Sequence, residues 1–141
     1  MAYSYSAAVE ASLERIAELG IDPTAQVYER LFATHPDMKP HFWRDQDGAI
    51  RGEMLAKVFE AILDFIGERR YASHMIRNEI ITHEGYDVPR DIFATFFATV
   101  GETLKDLLGD DWTAGTDAAW SAMLADIDAY VRATPRVGAA A

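Results

Sequence analysis

The chain has 141 residues, half of them hydrophobic, with 23 acidic against 13 basic side chains, a net charge of −10 and no cysteine. That length suits one domain with a sizeable core, while the acidity makes nucleic acid and anionic membrane poor partners and the lack of cysteine excludes disulfides and thiolate chemistry. No apolar run approaches the ~20 residues of a membrane span, and the start MAYSYSAAVEASLERI has neither a basic n-region nor an apolar h-region, so a cytoplasmic protein with no membrane partner is expected.

Apolar residues recur at helical spacing nearly throughout, and no stretch alternates with a period of two over a strand's length, so the expected fold class is all-α. The first helix carries Val9, Leu13, Ile16 and Ala17 at that spacing. Asp22 before Pro23 reads as an N-cap followed by a proline at the first helical position, opening a helix with Val27, Leu31 and Phe32. Pro36 and Pro40 stop it and force a short, tight turn through HPDMKPHF. RDQDGA, residues 44 to 49, is a polar loop leading into a helix with Met54, Leu55, Val58, Ile62, Phe65 and Ile66, which GERR ends. A helix closing on His83 follows, and Gly85 with Pro89 separates it from a long helix whose face holds Ile92, Phe93, Phe96, Phe97, Val100, Leu104, Leu107 and Leu108. After the loop GDDWTAGT, Thr116 is the expected N-cap of a last helix bearing Trp120, Met123, Leu124, Ile127 and Val131. The tail after Arg132, ATPRVGAAA, lacks apolar periodicity and is expected to be flexible. One domain over residues 1–141, with its core at about 8–132, is the expected organisation.

The chemistry must come from four histidines, His35, His41, His74 and His83. A carboxylate-bridged metal pair needs paired Glu-x-x-His helices, and this chain offers one Glu-x-x-x-His, Glu79 with His83. There is no His-Glu-x-x-His zinc signature, no Gly-rich phosphate loop and no nucleophile elbow. A single imidazole at the end of the helix in EIITHEGYDVPRDIFATFF fits a hydrogen-bonded core histidine, a charge at the helix end, or the one axial ligand of a haem iron.

Two blocks decide between these. In VYERLFATHPDMKPHF, residues 27 to 42, the order Tyr-x-x-Leu-Phe-x-x-His-Pro-x-x-x-Pro-x-Phe resembles the second helix, turn and haem-packing phenylalanine of the bacterial single-domain haemoglobins and the haemoglobin domain of flavohaemoglobins. In residues 83 to 120, HEGYDVPRDIFATFFATVGETLKDLLGDDWTAGTDAAW, the histidine, the Gly and Val88 after it, Phe93 ten residues on, the Leu-Gly and the Ala-Trp fall in the same register. The resemblance spans about residues 10 to 132. It implies a globin fold of seven to eight helices around a pocket for haem b (iron protoporphyrin IX), with His83 as the proximal, metal-binding residue. It further implies Phe42 packed flat on the porphyrin, Tyr28 as a distal donor to a bound gas, and Val88 and Phe93 as haem contacts. The distal gate falls on Ile50 or Arg51, with Met54 or Leu55 one turn further on. The apolar pairing slightly favours Ile50 with Met54, and an Arg51 near the pocket more naturally reaches a haem propionate or solvent.

The departures bear on function. Flavohaemoglobins hold a tyrosine and a glutamate around the proximal histidine; here the tyrosine's position is Phe93, and ATPR near the chain's end supplies no glutamate. Glu79 replaces the usual apolar residue one turn before His83. No flavin or nicotinamide domain is expected. The expected function is reversible binding of dioxygen, or another diatomic gas, at haem iron. The alternatives are nitric oxide dioxygenase or peroxidase activity with a separate reductase, gas sensing through a separate partner, and a haem-free interaction module. Whether the protein forms a homodimer, and whether His41 or His74 supplies a sixth ligand, stays open.

Overall fold

The computed structural model describes residues 3–86 and 88–134, and within them six α-helices and two 3-10 helices with no strand. In chain order the α-helices are α1 (Ser6–Glu18), α2 (Thr24–Thr34), α3 (Ala49–Ile66), α4 (Ala72–Gly85), α5 (Arg90–Leu108) and α6 (Ala114–Ala133). A 3-10 helix, Pro36–Phe42, joins α2 to the loop before α3, and a shorter one, Gly109–Asp111, follows α5. The all-α expectation stands. The proline-bounded turn is itself helical, because prolines at its start and at position 40 fix φ but cannot sustain the α-helical ladder.

The core is the set of stripes predicted by periodicity, now packed together. Val9 and Ile16 of α1 meet α6, where Trp120, Met123, Ile127 and Val131 are buried at helical spacing. Val100 and Leu104 of α5, fully buried, pack between α6 and α2, where Val27 and Leu31 face inward. Leu55, Ile62, Phe65 and Ile66 of α3 complete the cluster against α4. Ala17, counted with the first stripe, is exposed, and Ser12 is buried in its place. The hydroxyl explains the exchange: Ser12 donates to the Val9 carbonyl at 2.6 Å and accepts the Trp120 indole N–H at 2.9 Å. A buried indole N–H needs such a partner. Gly101 lets α5 approach this same tryptophan, since a Cβ there would lie 3.0 Å from the Trp120 ring.

Helix starts are set largely by aspartates. Asp22 accepts the Thr24 amide at 3.0 Å, but the cap position of α2 is Pro23 and the helix begins at Thr24, one residue later than the Asp-Pro pattern places it. The cap of α6 is Thr113, not Thr116: Thr113 accepts the Thr116 amide at 3.1 Å, and the helix begins at Ala114. Both residues are threonines three apart, and the first in the chain takes the capping geometry. Asp45 accepts the amides of Ile50 at 3.1 Å and Arg51 at 2.9 Å, fixing where α3 begins. Asp64, near the end of α3, accepts three amides, Arg70 at 3.2 Å, Tyr71 at 2.7 Å and Ala72 at 2.6 Å. It thereby caps α4, whose adjoining residue Tyr71 makes no side-chain cap. At the other end of the chain α6 runs to Ala133 and Thr134 is buried, with its carbonyl accepting from Arg90. The rest of the expected flexible tail, 135–141, lies outside the described residues.

These caps carry a pH signature. Burial tends to raise the Asp45 and Asp64 carboxyls, but the amide donors, with Arg51 and Arg70 beside them, outweigh it and hold both below the ordinary carboxylate range. Because the folded values are depressed, their stabilisation is complete above the unfolded carboxylate value and is lost as pH falls through the folded values. Thermal melts followed by circular dichroism should therefore show a Tm that is flat near neutrality and drops at acid pH. Asp64→Ala should lower the neutral Tm by roughly 2–6 °C and make the acid limb shallower. Equal acid limbs in the two proteins would remove Asp64 from this role.

Candidate functional site

A cavity of about 490 Å³ opens among α2, the Pro36–Phe42 segment, α3, α4 and α5. Its size and largely apolar walls are those of a small-molecule or cofactor site. The walls are built by helical phase. Ile50, Met54, Val58 and Ala61 recur at three- and four-residue spacing along one face of α3, and Ile92, Phe93, Phe96 and Phe97 do the same on α5.

Two polar groups stand out in this apolar setting. Tyr28 lies on α2 with 1% of its surface exposed, its ring packed among Phe32, Phe42 and Phe96 at centroid distances of 5.9, 5.3 and 5.4 Å. Its hydroxyl is buried and has no hydrogen-bond partner among the described residues. Burial drives its pKa well above the usual phenol value, so it remains a neutral O–H donor at physiological pH. A buried, unpartnered hydroxyl costs stability, and a cavity ligand with an acceptor atom would satisfy it.

The second group is His83, in the last turn of α4. Its Nδ1 lies 2.7 Å from the Glu79 carbonyl oxygen, which can only accept. That hydrogen bond places the proton on Nδ1 and leaves the Nε2 lone pair free, the arrangement a metal-ligating imidazole uses. Phe93 meets the imidazole edge-on at 5.3 Å, holding the ring's orientation. The His83 carbonyl accepts the amides of Tyr86 at 3.0 Å and Val88 at 2.9 Å, closing the helix directly behind the imidazole. Among the described residues no cluster of three or more His, Asp or Glu side chains could hold a metal ion.

Of the residues singled out from sequence, Tyr28, Phe42, Ile50, Met54, His83, Val88 and Phe93 line the cavity. Arg51 and Leu55 do not. The Arg51 guanidinium turns to Asp45, donating from Nε at 2.8 Å, and Leu55, only 2% exposed, points into the protein core. Each follows a cavity-lining residue by one position, which turns its side chain about 100° around α3 and away from the cavity. His41 lines the cavity, whereas exposed His74 does not.

Several lining residues were not anticipated. Ile76 and Glu79 precede His83 by seven and four positions, a helical spacing that could have revealed them. Glu79 faces the imidazole: its carboxylate lies 3.6 Å from His83 Nδ1. Arg44 and Lys57 place basic groups along the lining; Lys57 falls at helical spacing from Met54 and Ala61, whereas Arg44 lies in the loop before α3, where no periodicity signals it.

A family model, Globin, matches residues 25–131, and the chain belongs to the globin family. No curated protein and no solved structure matches it. Globins typically bind haem, and the residues present fit that group: an imidazole with a free Nε2, a largely apolar cavity, and a buried hydroxyl in want of an acceptor. Among the described residues no helix is long and apolar enough to cross a membrane.

Proposed function

We propose that this globin is a cytoplasmic b-type haem protein, akin to the bacterial single-domain haemoglobins, that binds dioxygen reversibly. His83 holds the iron through Nε2, Phe42 and Phe93 pack on the porphyrin, and Met54, Ile50 and Val88 keep water from its faces. When bound, the haem supplies the gas-binding and redox chemistry. The observation that carries this reading is the Tyr28 hydroxyl, buried without a partner in the cavity that His83 lines. The protein's contribution is then selective: an apolar enclosure excludes water, and one neutral donor favours a ligand that develops negative charge. Arg44, Lys57 and His41 are suited to the carboxylates of the porphyrin edge.

A second reading, redox turnover of nitric oxide or peroxide with electrons from a separate reductase, draws support from the Glu79 carboxylate beside His83. Reversibility separates the two. Haem-loaded, reduced protein cycled between oxygen and vacuum should return to its starting spectrum through several cycles. Conversion to the ferric form within the first cycle would favour turnover over carriage.

A further inference from the structure

Glu79 sits one helical turn before His83 on α4, and both side chains line the cavity. Its carbonyl oxygen accepts a hydrogen bond from His83 Nδ1–H at 2.7 Å, while its carboxylate Oε2 stands 3.6 Å from the same nitrogen. Any residue at position 79 would supply the carbonyl. The negative charge is particular to glutamate. The carboxylate is 35% exposed and the imidazole 23%, so the charge is partly sheltered from water, and among the described residues no lysine or arginine pairs with it.

From this geometry we infer that Glu79 is a positioning residue for the axial imidazole, with its carboxylate strengthening His83 as a donor and favouring the oxidised state of a bound haem. This rests on the haem-binding reading above. The physical argument has two parts. An anion beside Nδ1 draws the proton toward itself and leaves more electron density at Nε2. A fixed negative charge near the ring also stabilises the more positive of the two iron oxidation states, and partial burial keeps water from screening it fully. The Tyr28 donor acts from another helix on a bound gas, so Glu79 and Tyr28 together set the balance between carriage and redox turnover.

The test compares full-length, haemin-loaded wild type with Glu79→Gln, which keeps the carbonyl and the side-chain size but loses the charge. Two readouts are informative: the ferric-to-ferrous ratio at a fixed applied potential, and the iron–imidazole stretching frequency of the reduced protein by resonance Raman. A residue that merely holds the helix would move neither. Glu79→Gln should lower the ferric-to-ferrous ratio about threefold to tenfold and lower the stretching frequency. An unchanged ratio and frequency would overturn the inference. If Glu79→Gln fails to hold haemin, Glu79→Leu makes the same comparison at this half-exposed position. Should neither neutral variant load while wild type does, Glu79 is a folding element and the inference is likewise overturned. Failure of the wild type to take up haemin would instead overturn the haem reading itself.

Discussion

His83→Ala should reduce haemin retention by roughly a hundredfold or more, with recovery when imidazole is added to the buffer. The expectation follows from how few nitrogens the cavity offers. His83 is held by α4, its Nδ1 proton is committed to the Glu79 carbonyl, and its ring is braced by Phe93. His41 is the other histidine in the lining, but it sits on the exposed Pro36–Phe42 segment, where no comparable hydrogen bond orients the ring. Alanine at position 83 removes the ligand and leaves a space that free imidazole can enter. Absorption spectra of the loaded variant, with and without imidazole, provide the check. A normal five-coordinate ferrous spectrum without imidazole would mean that another side chain holds the iron.

Tyr28→Phe should have two effects of opposite sign. In the haem-free protein the hydroxyl is buried without a partner, so removing it should raise stability by about 1–2 kcal/mol, read from urea unfolding. In the haem-loaded, reduced protein the same change should speed oxygen dissociation by roughly one to two decades, because a donor hydrogen bond to the gas is worth ~1–3 kcal/mol. A group that lowers stability while strengthening ligand retention is the signature of a binding residue. Flash photolysis gives the off-rate. An unchanged off-rate together with unchanged stability would make Tyr28 an ordinary core ring.

The two residues on which these predictions turn were legible in the sequence for a local reason. Tyr28 and Phe42 are fixed relative to each other by the proline-bounded segment, and His83 by the Gly and Val that close its helix, so short motifs carry their positions. The face of α3 was harder to read. Whether Ile50 or Arg51 meets the cavity depends on the rotational phase of the helix, and that phase is set by Asp45 reaching forward to the amides of Ile50 and Arg51 and to the Arg51 side chain. Apolar spacing offered Met54 and Leu55 alike because both are apolar, yet half-buried Met54 lines the cavity and buried Leu55 belongs to the core. The capping of α4 by Asp64 was hidden for a similar reason: its three amide partners lie six to eight positions away, beyond the three-residue reach of the usual cap pattern. Glu79 was visible as an unusual residue, and its four-residue spacing from His83 on one helix already places it beside the imidazole.

A haemin titration of the purified protein, followed at the Soret band, asks whether this cavity holds haem through His83. Saturation is expected at about one haemin per chain, with a sharp Soret band that His83→Ala abolishes and imidazole restores. A titration without saturation, or a wild-type band identical to that of His83→Ala, would contradict it.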